Sequence, residues 1–170
     1  MNKYGIIFPG QGSQNTEMLS SYLESNIFKE TIEEASSILT YDVKSVVQDE
    51  SKLNKTEFTQ PVVLAVSIAM WNVWKNKVSE APTVAAGHSL GEYSALVANG
   101  WIPFAECLEI VKKRAIYMQE EMQNIRGGMP TIIGLERSKI TELCEELSSE
   151  KQIIEAVNFN SLEQTVVAGH

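Results

Sequence analysis

Five residues constrain this chain more than any others. Gly87-His88-Ser89-Leu90-Gly91 follows the apolar run Val84-Ala85-Ala86 and precedes the helix-favouring stretch Glu92 to Ala98. A G-x-S-x-G pattern set between a strand and a helix forces a sharp, strained turn that lifts the serine hydroxyl clear of a sheet. The two glycines let backbone crowd backbone where a Cβ would clash. The following helix begins with unpaired N–H groups and a partial positive charge beside that hydroxyl. Ser89 is therefore a candidate nucleophile, the alternative being a purely structural turn. Leu90 supplies the N–H that follows it, with a side chain suited to the core.

Size and composition bound what surrounds this turn. The 170 residues, 44% of them hydrophobic, suit one domain or slightly more, with a proper core. A net charge of −8 argues against nucleic acid and against anionic membrane surfaces as partners. Cys107 and Cys144 both fall on apolar helical faces, the pattern of buried free thiols in a reducing compartment. The N-terminus lacks the apolar core of a signal peptide, and the most apolar stretch, Pro61 to Trp74, is too short to span a bilayer. The reading is a soluble cytoplasmic protein.

Along the chain, Tyr4 to Phe8 predicts a short strand ended by Pro9-Gly10-Gln11-Gly12, and Phe28, Ile32, Ala35 and Leu39 repeat at helical spacing. Gln48 to Thr56 reads as irregular. Pro61 suits the first turn of a helix from Val62 to Trp74, apolar nearly all round and so buried on several sides. Gly100 marks a helix stop, and Phe104, Cys107, Leu108, Val111, Ala115, Met118 and Met122 form one face of the next helix. Arg114 lies at the border of that stripe, while Lys112 and Lys113 point outward as candidates for a basic docking patch with Arg126. After residue 126 the order becomes β-α-β-β: Thr131 to Leu135, a helix through Ile140 to Leu147, then strands near Ile153 to Val157 and Thr165 to Ala168. That is the first part of a split β-α-β sandwich, ending on a strand with its edge uncovered. Two parallel strands are too few for a stable doubly wound sheet. The chain is thus expected to be the N-terminal portion of a longer protein, with subdomains at 1–125 and 126–170.

The motifs Phe8-Pro9-Gly10-Gln11-Gly12-Ser13-Gln14, Thr59-Gln60-Pro61, Gly87-His88-Ser89-Leu90-Gly91-Glu92-Tyr93-Ser94-Ala95-Leu96, Arg114 with Met118-Gln119-Glu120, Gly128-Met129, and Asn158-Phe159-Asn160-Ser161 with Val166 to His170 occur in that order. Together they resemble the bacterial malonyl-CoA:acyl carrier protein transacylase family. The resemblance implies an α/β fold: an α/β-hydrolase-like large subdomain with a parallel sheet, carrying an inserted ferredoxin-like small subdomain that is incomplete in this chain. It implies malonyl transfer from coenzyme A to the phosphopantetheine thiol of acyl carrier protein, in fatty acid biosynthesis. The partners would be malonyl-CoA, as substrate, and acyl carrier protein, with no permanently bound cofactor and no metal. Two places depart from the family: Leu162-Glu163 stands where it usually has Pro-Gly, and Pro130 where it favours alanine.

On this resemblance Ser89 forms the acyl-enzyme, Gln11 joins Leu90 as a backbone oxyanion donor, and Arg114 grips the substrate carboxylate through two parallel hydrogen bonds. Taken alone, Gln11 reads as a polar turn residue and Arg114 equally well as a surface arginine covering apolar neighbours with its stem. Gln60 either starts its helix or lies near the pocket. His88 should point away from Ser89 in a packing or supporting role, and neither it nor His170 is assigned as the base; the family's histidine is expected beyond residue 170. A serine esterase or thioesterase using the same elbow is the alternative enzyme. A catalytically incomplete acyltransferase fragment that only binds is the alternative without turnover.

Overall fold

The computed structural model describes residues 3–123 and 126–170, except the side chains of Met122 and Gln123. The chain divides into two compact units, one running to Gln119 and the other comprising Glu120–His170.

In the first unit, strands β1 (Gly5–Phe8) and β2 (Val84–Gly87) pair in parallel, from Gly5 opposite Val84 to Phe8 opposite Gly87. Parallel strands need a long crossover. Here it includes a 3₁₀ turn (Ser20–Tyr22) and four α-helices: α1 (Asn26–Leu39), α2 (Val43–Gln48), α3 (Glu50–Leu53) and α4 (Thr56–Lys77). Ser25, Asp42 and Asp49 cap the first three by accepting from backbone N–H groups of the opening turn. The stretch read as irregular thus contains a capped helical turn, α3, whose signal was one aspartate.

Helix α4 is the hub of this unit. Every residue from Thr59 to Ala69 is buried, so its sequence is apolar on all sides rather than striped. It starts at Thr56, six residues before the expected Val62, with Pro61 inside it. Proline there leaves the Glu57 carbonyl without its helical donor and crowds it with the ring, a cost outweighed by the burial of α4 on all sides. The chain before it is already tied down, the Thr59 hydroxyl donating to the Leu53 and Lys55 carbonyls. Phe28, Ile32 and Leu39 of α1, Val43 and Val47 of α2, and Leu64 and Ile68 of α4 share one core with Leu90, Leu108 and Val111. Phe8, with Trp71 and Ala95, joins the strands to the helices. The other face of the two strands leaves Ile7 and Val84 exposed.

Helices α5 (Gly91–Ala98) and α6 (Phe104–Gln123) follow β2. Gly100, at φ +74°, ends the first of them as expected. Cys107, Leu108, Val111 and Ala115 form the buried stripe of α6. Met118 on that stripe is exposed, and the Met122 side chain lies outside the described residues. Lys112 does not point freely outward. Its ammonium donates to the Leu39 carbonyl at 3.5 Å, where α1 ends and a cation is favourable.

Both cysteines are buried and unbridged. Burial pushes the Cys107 thiol up to about 11. The neutral thiol therefore persists until pH approaches that value, and it is the thiolate that reacts. Iodoacetamide at pH 8 should leave Cys107 unmodified in the folded protein and alkylate it in urea, read by peptide mapping. Equal modification in both conditions would contradict the burial.

In the second unit, β3 (Thr131–Ile133), α7 (Arg137–Leu147), β4 (Ile154–Ser161) and β5 (Gln164–Gly169) follow in the expected order. The sheet order is β3-β5-β4, all antiparallel. The last strand is therefore central, paired on both sides, and not the uncovered edge the sequence predicted. Ile140 and Cys144 of α7 pack on Val167, Ile132, Ile154 and Ala156. The turn at Leu162-Glu163 closes without Pro-Gly: the Ser161 hydroxyl accepts from the Glu163 N–H, and Asn160 donates to Gln164.

Candidate active site

The two parallel strands end side by side and deliver two loops to one place. After β2 the backbone turns at Ser89, whose φ of +51° lies in the left-handed region. A non-glycine residue held there costs on the order of 1–3 kcal/mol and persists only where its surroundings enforce it. The surroundings are close-packed backbone. An added Cβ at Gly87 would lie 1.9 Å from the Gly91 carbonyl carbon, and one at Gly91 would lie 2.2 Å from the Phe8 carbonyl oxygen. The elbow is thus wedged between β1 and the first turn of α5. It leaves the Ser89 side chain exposed and buries Leu90.

After β1, the loop Pro9 to Gln14 folds back on itself, the Ser13 hydroxyl donating to the Gly10 carbonyl and the Gln14 amide oxygen accepting from the Gly12 N–H. It touches the elbow, since a Cβ at Gly10 would come within 2.7 Å of the His88 carbonyl oxygen. Among the described residues, the backbone N–H groups of Gln11 and Leu90 donate to no hydrogen-bond partner. Two orphan donors at the mouths of adjacent loops, beside a serine, are the raw material of an oxyanion site.

Arg114 reaches this place from α6. Its Nη2 lies 3.3 Å from Ser89 Oγ, its Nη1 donates to Gln60 Oε1, and its guanidinium sits 5.8 Å from the centre of the Tyr93 ring. The buried Gln60 is not merely a helix starter. Its Nε2 donates to Gln11 Oε1 at 3.1 Å and to Met118 Sδ at 3.3 Å, so the whole amide is used. Gln11 Nε2 donates in turn to Thr56 Oγ1 at 3.1 Å. Ser89, Arg114, Gln60 and Gln11, named from sequence, are thus brought together in one network.

Sequence reasoning read Met118 as a residue of the apolar stripe and did not name Thr56. The signal was available: Met118 lies four residues after Arg114 on α6, and Thr56 four residues before Gln60 on α4, so each shares a helix face with its partner. His88 is exposed, and its Nδ1 lies over Gly10 rather than reaching Ser89. His170 Nδ1 accepts from the Ile153 N–H in the second unit. Among the described residues the one hydrogen-bond partner of Ser89 Oγ is Arg114, which can donate but cannot take a proton. No group of His, Cys, Asp or Glu among the described residues could hold a metal ion, and no described helix is long and apolar enough to cross a membrane.

Fold and site are those of an α/β protein with a strand–serine–helix elbow. The chain belongs to the acyl transferase domain family, which it matches over residues 6–170. It is 46% identical over 173 residues to the malonyl CoA-acyl carrier protein transacylase of Salmonella typhimurium, covering 100% of this chain and 56% of that protein. The structure of the corresponding transacylase from Coxiella burnetii superposes with a TM-score of 0.94 at 41% identity, over 99% of this chain and 54% of that one. A malonyl-transacylase solved in complex with a type II PKS acyl-carrier protein superposes with a TM-score of 0.93 at 44% identity, over 99% of this chain and 55% of that one. The chain therefore spans about half the length of the relatives it matches.

Proposed function

We propose that this chain carries the nucleophile and the carboxylate-binding part of a malonyl-CoA:acyl carrier protein transacylase. Ser89 Oγ attacks the thioester carbonyl of malonyl-CoA; the new C–O bond forms, the C–S bond breaks, and coenzyme A leaves as its thiol. The phosphopantetheine thiol of acyl carrier protein then attacks the malonyl-serine ester and regenerates the hydroxyl. Gln11 and Leu90 N–H groups stabilise the oxyanion in both steps, and the group needs no permanently bound cofactor. The general base comes from the part of the relatives' length that this chain does not span. His88 supports the loop rather than accepting the proton.

Residues up to about 125 belong to an α/β-hydrolase-like subdomain, and the β-α-β-β order of the remainder supports a ferredoxin-like one. Malonyl-CoA and acyl carrier protein are the partners, in the cytoplasm and in fatty acid biosynthesis. Of the basic residues proposed for docking, the exposed Lys113 and Arg126 remain candidates.

The observation that carries the substrate assignment is the guanidinium 3.3 Å from the nucleophile's oxygen. An esterase has no use for a fixed cation there, whereas malonyl presents a carboxylate next to the reacting carbonyl. Arg114→Ala should lower acylation by malonyl-CoA about ten- to a hundred-and-fifty-fold relative to acetyl-CoA, the worth of one charge-assisted hydrogen-bonded contact. Arg114→Lys should recover little, because a point charge does not reproduce the two-pronged grip. Equal losses for the two acyl groups would make Arg114 structural and remove the malonyl assignment.

A further inference from the structure

Three side chains, those of Gln60, Gln11 and Thr56, connect the Arg114 guanidinium to the first turn of α4, and the chemistry of their donors allows one arrangement. Arginine only donates, so Gln60 must turn its oxygen to Arg114. That leaves Gln60 Nε2 to face Gln11, which must therefore present Oε1 to it. Gln11 Nε2 is then directed to an acceptor, and Thr56 Oγ1 stands there at 3.1 Å. A second strut runs beside this one. Gln14 Nε2 donates to Asn54 Oδ1 at 3.1 Å, while the oxygen of the same amide accepts from the Gly12 N–H. The loop that bears the Gln11 N–H is thus held at Gln11 to the first residue of α4 and at Gln14 to the turn before it.

We infer that Thr56 is a positioning residue for acyl transfer: by holding the Gln11 side chain it fixes the Gln11 backbone N–H where the oxyanion forms. The inference rests on the acyl-transfer reading of the site. Thr56 touches no reacting atom. Its hydroxyl is the terminal acceptor of a relay whose direction the arginine sets. The loop it restrains packs against the elbow through Gly10 and His88 and carries two residues, Gly10 and Gly12, that do nothing to stiffen it.

The test uses the natural gene product. Thr56→Val keeps the shape and removes the acceptor, and Thr56→Ser keeps the acceptor. Ser89 acylation is followed by intact mass with malonyl-CoA and acetyl-CoA. Thr56→Val should slow acylation by both donors equally, about two- to tenfold, because one exposed neutral hydrogen bond is lost rather than the donor itself. Losing the donor outright would cost about 10²–10³-fold. KM for either donor and the Tm should stay unchanged, and Thr56→Ser should run at the parent rate. If valine lowers the Tm, Thr56→Ala serves the same comparison. Thr56→Val at the parent rate, Thr56→Ser as slow as Thr56→Val, or a loss confined to malonyl would each overturn the inference.

A second readout needs no turnover. Hydrogen exchange of the peptide covering residues 9–14 should quicken in Thr56→Val and not in Thr56→Ser, and unchanged exchange overturns the positioning role by itself. A parent protein that takes no acyl group on Ser89 overturns the acyl-transfer reading instead, so the two failures are separate.

Discussion

Replacing Ser89 by alanine should abolish covalent labelling by malonyl-CoA altogether. The parent protein in its natural length should gain one malonyl group, found by intact mass and mapped to the peptide containing Ser89. The size of the effect follows from the role. Losing a nucleophile in a serine enzyme typically costs about 10⁶ in kcat, and what survives comes from binding and the oxyanion donors. An alanine has no atom to carry the acyl group, so single-turnover labelling should fall below detection even where slow background hydrolysis of the thioester continues. Substrate affinity should change little, because the Arg114 guanidinium keeps its bond to Gln60 and its place near the Tyr93 ring. A malonyl label that survives Ser89→Ala would mean that another residue is the nucleophile, and the strained φ at this position would need a different reason.

How much of this was legible beforehand depended on whether local sterics or distant packing made the decision. The elbow was legible because Gly87 and Gly91 stand at the two positions where a side chain would strike backbone, a constraint that acts over five residues. Arg114 was legible as a residue at the border of a helical stripe, since 3.6-residue periodicity places it without reference to anything else. The start of α4 was not. Pro61 is a good first-turn residue, and nothing in Lys55, which caps no N–H with its side chain, announces a start six residues before Val62. That start is secured by Thr59 reaching the Leu53 carbonyl, a contact between elements. The position of β5 was hidden for a similar reason. Strand order is set by which strands pair, here β5 with both β3 and β4, and sequence order alone put the last strand at an edge. Lys112 read as solvent-facing because the carbonyl it meets belongs to Leu39, far off in sequence. Thr56 lies one helical turn from Gln60, a spacing that puts the two on one face of α4, while Met118 read as part of the apolar stripe of α6.

Alanine at Gly87 should be the most damaging single-methyl change in the first unit, with Gly91→Ala close behind. A Cβ at Gly91 would sit 2.2 Å from the Phe8 carbonyl oxygen, and one at Gly87 1.9 Å from the Gly91 carbonyl carbon. Both obstacles are backbone, so no rotamer change relieves them. The strand, the elbow or the start of α5 must move. Overpacking a close-fitted site costs about 1–3 kcal/mol and sometimes more. Moving the elbow by about 1 Å from its working geometry costs on the order of 10²-fold in rate. Either variant should therefore melt several degrees lower and acylate Ser89 at least a hundredfold more slowly. Gly100→Ala is the control. Gly100 also has a left-handed φ, +74°, but a Cβ there meets nothing within 4 Å, and it lies beyond α5, away from the elbow. It should lose about 1–2 kcal/mol, the cost of a left-handed residue with a side chain, and acylate at the parent rate. Melting temperature and acylation rate measured on all three separate the two effects. If Gly91→Ala is no worse than Gly100→Ala on both scales, backbone crowding is not what holds Ser89 in its strained conformation.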